Sequence, residues 1–168
     1  DVLSKITANA QSAVGGAEFA LLVEEDGAMS CRSSSDLPDR VVPNSEFVDI
    51  VDTSDEWIRS RSGIERRHFA AEGQLTSDLA TRAAQAALAD AGLDAGQIDA
   101  IIVATSTPDL TFPSVATMVQ NALGMTKGFA FDVQAVCAGF VFALTNANAL
   151  ILSGQANRVL VIGAETFS

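Results

Sequence analysis

Three strand-length apolar runs alternating with capped helical stretches constrain this chain more than any other feature. The runs are Ala100-Ile-Ile-Val-Ala104, Phe129-Ala-Phe-Asp-Val133 and Arg158-Val-Leu-Val-Ile162. The first is apolar without interruption, as expected of a strand buried on both faces. Thr76 or Ser77 is placed to cap a helix running to Ala91, where Gly92 stops it. Pro113 suits the first turn of the next helix, which Gly124 ends. A third helix runs from about Cys137 to Ser153, closed by Gly154. This order predicts parallel strands joined by helical crossovers, sharing one sheet with the helices packed on it.

The rest of the chain has a different texture. Residues 37–75 are polar and irregular. Asn44 is predicted to cap a short helix through Val51. Thr53 and Glu56 have the capping-box spacing, so Thr53–Trp57 should open a second short helix that Gly63 ends. Residues 1–36 are rich in Ala, Gly and Ser. Within them Phe19–Val23 is a candidate strand and Asp26-Gly27 a tight turn after it. No internal repeat is present, and 168 residues suffice for one domain with a real core.

Composition excludes several function classes. Ten Lys and Arg stand against 21 Asp and Glu, a net charge of −11. Phosphate contacts need clustered cations, so a nucleic-acid partner is not expected, and an anionic membrane surface finds little to attract. The acidic surface reads first as a solubility device. The longest apolar stretch, Ala138–Leu152, contains Thr145, Asn146 and Asn148 and is short for a membrane span. The opening Asp-Val-Leu-Ser-Lys carries no signal pattern. A cytoplasmic protein is the expectation, with both ends reading as cut, since the chain begins without Met and stops just after an apolar run. Cys31 and Cys137 lie far apart in unlike contexts, with no second Cys or His at metal-ligand spacing. Neither a disulfide framework nor a metal site is expected, and a reducing compartment is inferred.

The segment with chemistry in it is Asp132-Val-Gln-Ala-Val-Cys-Ala-Gly-Phe140. A strand ends, the chain turns through small residues, and Cys137 stands where a helix begins. Free backbone N–H groups at a helix N-terminus stabilise a nearby thiolate and can hold the oxyanion of a thioester under attack. Ala138 and Gly139 leave room for a substrate against the backbone. An inert core cysteine is the competing local reading.

This segment resembles the nucleophile segment of the beta-ketoacyl-acyl-carrier-protein synthase III family. Three further blocks are similar to that family, in its order and spacing from Leu37 to Ser168. They are Val51-Asp-Thr-Ser-Asp-Glu-Trp-Ile58 with Arg61-Ser-Gly-Ile64, Ala104-Thr-Ser-Thr-Pro-Asp-Leu-Thr-Phe-Pro-Ser114, and Val161-Ile-Gly-Ala-Glu-Thr166. The resemblance implies an α/β, thiolase-like fold. This chain would be the N-terminal half of a layered α-β-α-β-α body with a mixed, largely parallel sheet. It divides the chain into an atypical segment, 1–36, and a half-domain, 37–168, with the C-terminal half absent.

The resemblance also implies a chemistry. The family's Cys takes an acyl group from acyl-CoA. Malonyl-acyl-carrier-protein then loses CO2, and the resulting carbanion attacks the acyl-thioester, the enolate being stabilised by a His and an Asn of the second half. Cys137 would be the nucleophile. Thr53, Trp57 and Arg61 match positions near the adenine end of CoA, where Trp offers a stacking face and Arg can stack or pair with phosphate. A Trp packed under a short helix beside a solvated Arg is the alternative. Phe112 matches a position that reaches across a homodimer into the partner's acyl pocket; an ordinary buried Phe is the alternative there. Arg59 has no assigned role. His68, the only histidine, is read as solvated structure in a polar turn, outside the segment where the catalytic His belongs. No cofactor beyond the acyl-CoA substrate is implied.

Two departures stand out. The family begins with a short apolar strand and a Gly-rich bend just before Leu37-Pro38. Here Met29-Ser-Cys-Arg-Ser-Ser-Ser-Asp36 occupies that place, so the first strand is supplied differently or missing. The half with the His and Asn is not in the sequence. Two other functions fit the same residues: a synthase III-like enzyme making alkylquinolones, ketones or polyketides, and a non-catalytic thiolase-like fragment that only binds or dimerises.

Overall fold

The computed structural model describes residues 19–24, 29–33 and 40–167, the first two stretches by their backbone course. Its main sheet has five strands in the order β2-β1-β7-β5-β6, comprising β1 (Phe19–Glu24), β2 (Met29–Ser33), β5 (Ala100–Ala104), β6 (Phe129–Val133) and β7 (Arg158–Gly163). The three strands expected from the apolar runs are adjacent, and β5 pairs parallel with both β6 and β7. The hairpin β1–β2 adds to the β7 edge, with β1 antiparallel to β7 from Phe19 opposite Gly163 to Glu24 opposite Arg158. The candidate strand at Phe19–Val23 thus exists, and it fills the sheet position beside β7. The expected turn at Asp26-Gly27 lies outside the described residues.

Strand alternation sorts the core into two faces. Ile101, Val103, Leu160 and Ile162 point to one side, where they meet α2 (Thr76–Ala91) and α3 (Val115–Ala122). Ala100, Ile102, Ala104, Val159 and Val161 point to the other, against Ala143 and Ala147 of α4 (Gly139–Leu152). Alanines at Ala80, Ala83, Ala84 and Ala87 let α2 sit close to the sheet. The result is three layers, two helices over a sheet over one helix, as a βαβαβ pattern requires. Asp99 aligns the entry ends of the parallel strands. Its carboxylate accepts from Asn157 N and Arg158 N, and its carbonyl accepts from Phe129 N. Gly128, at φ +84°, passes so close that a Cβ there would lie 2.5 Å from that carbonyl oxygen.

Residues 40–75 are more ordered than their composition predicts. A second, two-stranded antiparallel sheet joins β3 (Arg40–Pro43) to β4 (Arg66–Phe69). His68 therefore lies in a strand, half-buried opposite Val41, rather than in a solvated turn. Only a 3₁₀ turn, Asn44–Phe47, follows β3, and Asn44 is not its cap. Asn44 is buried and ties three segments together. Its amide donates to the Asp55 carboxylate at 2.8 Å and to the Ile64 carbonyl at 2.6 Å, and its oxygen accepts from Arg67 at 2.7 Å.

Helix caps are shifted by about one residue from the sequence reading. Ser54, not Thr53, caps α1 (Asp55–Ser62) by accepting from Trp57 N. Leu75 precedes α2, and Asp78 accepts from its N–H. Ser114 caps α3, so Pro113, joined to Phe112 by a cis peptide bond, precedes the helix instead of opening it. Gly63 and Gly92 end α1 and α2 in left-handed conformations, as expected.

Candidate active site around Cys137

The site lies at the C-terminal ends of the parallel strands, where open α/β sheets place their ligands. Cys137 is a free, exposed thiol on the connection between β6 and α4. The helix starts later than the sequence reading has it. Cys137 sits in a 3₁₀ turn, Val136–Ala138, and the α-helix begins at Gly139. The N–H groups of Ala138 and Gly139 bond within the turn to the carbonyls of Ala135 and Val136. They are therefore not the free helix-end donors that the expected start would have left for a thiolate or an oxyanion. A different feature presents the thiol. Val136 has φ +48°, the only positive φ outside glycine among the described residues. A β-branched residue in the left-handed region is a genuine outlier, and such strain is concentrated at functional sites. The sequence gives no local sign of it.

Small residues seat the turn on the sheet. Gly139 is buried, and a Cβ there would already touch Ala104 Cβ at 3.5 Å and the Val133 carbonyl at 3.6 Å. Asp132, at the end of β6, reaches across the sheet edge to α3. Its two carboxylate oxygens accept from Val115 N and Ala116 N, each at 2.8 Å. Burial pushes this carboxyl above the ordinary carboxylate range, the two N–H bonds partly offset the rise, and the nearby Asp109 carboxylate adds to it.

Asp109 in turn accepts from Ser77 N at the start of α2 with one oxygen. Its other oxygen is one of three buried side-chain oxygens without a hydrogen-bond partner among the described residues, the others being Thr53 Oγ1 and Ser106 Oγ. Between Asp109 and α3, Phe112 stands 82% exposed at the tip of the loop. In this chain Phe112 is therefore not buried.

The second cluster surrounds α1. Trp57 is 58% exposed, and the Arg61 guanidinium lies 5.8 Å from its ring centroid, within cation–π range. Trp57 is thus not packed beneath its helix. Thr53 is half-buried just before it. Arg59, left without a role by the sequence, pairs with Asp55 and Glu65 at 3.0 Å each. The Asn44 amide, foremost, and Arg59 hold the Asp55 carboxyl below its ordinary range, against a smaller desolvation effect. Asn44, Asp55 and Arg59 thereby hold α1 in place, leaving Trp57 and Arg61 outward. Among the described residues no group of His, Cys, Asp and Glu could hold a metal ion, and no helix is long and apolar enough to cross a membrane.

A family model for 3-oxoacyl-[acyl-carrier-protein] synthase III matches residues 131–168, which include the Cys137 turn and β7. A beta-ketoacyl-[acyl-carrier-protein] synthase III of Ruegeria pomeroyi is 80% identical over 132 residues. Over its matched residues this chain is similar to the synthase III family. The match takes in 79% of this chain and 41% of the Ruegeria protein, so the chain spans about two-fifths of the length of that relative. Among solved structures, the synthase III of Aquifex aeolicus superposes with a TM-score of 0.72 at 40% identity, over 90% of this chain and 45% of that one. A priming beta-ketosynthase from the R1128 polyketide biosynthetic pathway gives 0.71 at 30% identity, over 88% and 40%. The thiolase-like α/β fold expected from the sequence is therefore observed, with its sheet mixed.

Proposed function

We propose that this chain is the nucleophile-bearing N-terminal half of an acyltransferase that initiates fatty-acid synthesis. Residues 37–168 form that half-domain, and 1–36 are an atypical leading segment. The Cys137 thiolate attacks the thioester carbonyl of acyl-CoA. A new C–S bond forms, the CoA thiolate leaves, and the acyl group rests on Cys137. Malonyl-acyl-carrier-protein then loses CO2, its carbanion attacks the acyl-Cys carbonyl, and the Cys137 thiolate is expelled. Trp57 and Arg61, with Thr53 beside them, hold the adenine end of CoA. Phe112 enters the acyl pocket of a second copy in a cytoplasmic homodimer, and no cofactor is used besides the acyl-CoA substrate.

The exposure of Cys137 on a strained turn at the strand ends carries this reading. A second half fits what α4 presents. Val141, Phe142 and Leu152 are exposed on it, while Thr145 and Asn146 turn back to bond the Val141 and Phe142 carbonyls of their own helix. A face that satisfies its polar groups internally is suited to burial. The identity to relatives named synthase III favours fatty-acid initiation over a secondary-metabolic acceptor, although the R1128 ketosynthase shares the fold.

The test uses a completed enzyme, in which this chain is continued by the C-terminal part of the Ruegeria pomeroyi relative. Incubation with labelled acetyl-CoA should place one acyl group on the peptide containing Cys137. Label on another residue, or undiminished label in Cys137→Ala, refutes the assignment. No acylation in a folded completed enzyme supports the non-catalytic fragment instead.

A further inference from the structure

The Phe112 loop is fastened at both ends by carboxylates that touch neither Cys137 nor Phe112. Glu165 follows β7, and its side chain crosses to the exit of β5. One oxygen accepts from Ser106 N at 2.8 Å. The other accepts from the Thr107 hydroxyl at 2.6 Å and the Thr105 hydroxyl at 3.3 Å. While donating to Glu165, the Thr107 hydroxyl accepts from Thr166 N at 2.9 Å. Thr76, buried at the start of α2, donates its hydroxyl to the Thr107 carbonyl at 2.6 Å and meets the Thr166 hydroxyl at 2.8 Å. At the far end of the loop, Asp132 holds Val115 N and Ala116 N. Glu165 therefore sets the direction of the Thr105 and Thr107 hydroxyl protons and ties the exit of β7 to that of β5, while Thr107 and Thr166 carry the link on to Thr76 of α2.

The same strand end seats the nucleophile. Thr105 N donates to the Val133 carbonyl, and Gly139 rests against Ala104 and Val133. A displacement of residues 105–107 would thus move the Phe112 loop relative to the Cys137 turn.

We propose that Glu165 is a positioning residue for acyl selectivity, fixing the loop from Thr105 to Ser114 so that Phe112 is presented at a set place relative to the strand ends. This rests on the reading of Phe112 as an acyl-pocket residue. Glu165→Gln keeps the shape of the side chain but supplies one acceptor oxygen and an NH2 where two accepting oxygens are needed. Thr107→Val removes the hydroxyl at constant shape and provides a second variant should the first fail to fold.

The experiment compares kcat/KM for acetyl-CoA and hexanoyl-CoA in the completed enzyme, its Glu165→Gln, Glu165→Asp, Thr107→Val and Phe112→Ala variants, and follows iodoacetamide alkylation of Cys137 in each. The hexanoyl-to-acetyl ratio should change about fivefold or more in Glu165→Gln and Thr107→Val, the size of effect that loss of one hydrogen bond gives. It should change less in Glu165→Asp, with alkylation rates within about twofold of the parent throughout. If Phe112→Ala shifts the ratio while Glu165→Gln and Thr107→Val do not, the positioning role is wrong and the Phe112 reading stands. If Phe112→Ala leaves the ratio unchanged, the Phe112 reading fails and the proposal with it. A uniform fall in both kcat/KM values, with the ratio constant, assigns Glu165 to stability alone and overturns the proposal.

Discussion

Val136 adopts φ +48° directly before Cys137, so a branched side chain is held in a backbone conformation that it disfavours at the residue preceding the exposed thiol. The strain costs about 1–3 kcal/mol, and it persists because Asp132 and Gly139 fix the chain on either side.

Val136→Gly should relieve that strain while adding about 0.5–1 kcal/mol of backbone entropy cost. Denaturant unfolding should then show a stability equal to the parent or up to ~2 kcal/mol higher. Acylation of Cys137 in the completed enzyme should slow, because the turn loses its constraint. A loss of stability greater than about 1 kcal/mol would show that Val136 is held by favourable packing instead of being strained.

Asp132 and Asp55 should give opposite pH signatures. The Asp132 carboxyl is raised in the folded state, so the folded form binds its proton more readily than the unfolded chain does. Its contribution to stability therefore improves as pH falls from neutrality through the folded value toward the ordinary carboxylate range. The Asp55 carboxyl is lowered, so its contribution is present above the ordinary range and is lost as pH falls through the lower folded value. Thermal midpoints measured from pH 7 downward should move in the parent's favour relative to Asp132→Asn, and against it relative to Asp55→Asn at the acid end. The same trend in both comparisons would contradict these assignments.

Trp57→Ala in the completed enzyme should weaken CoA binding about fivefold to a hundredfold, corresponding to ~1–3 kcal/mol for stacking of a base on an aromatic ring. Calorimetric titration with CoA checks it. An unchanged dissociation constant would leave Trp57 and Arg61 as an exposed cation–π pair with no ligand.

The 168-residue chain by itself should not catalyse condensation. Its one histidine lies in β4, in the two-stranded sheet and not in the strand-end cluster around Cys137, and nothing in that cluster supplies an imidazole for the enolate. With acetyl-CoA and malonyl-acyl-carrier-protein it should give at most slow self-acylation of Cys137, and the exposed face of α4 should make it associate. Multiple turnovers of acetoacetyl product, abolished by Cys137→Ala, would place the enolate-stabilising group within this chain.

The amino-acid sequence by itself determined the order of strands and helices from Thr76 onward and the placement of Cys137 between β6 and α4. Those features follow from hydrophobic period, glycine stops and residues close in sequence. Only the tertiary structure decided which polar groups meet. Asn44 has the residue type and place of a local cap, yet it bonds across 11 to 23 residues to Asp55, Ile64 and Arg67. Asp132 caps a helix that precedes it in the chain, and Glu165 reaches back 58 to 60 residues to the exit of β5. Such partners are set by which strand ends become neighbours, and that order arises from burying both faces of the sheet at once. The positive φ of Val136 has the same origin. A conformation opposed by local sterics survives only where the packed strands and helices on both sides leave the chain no other path.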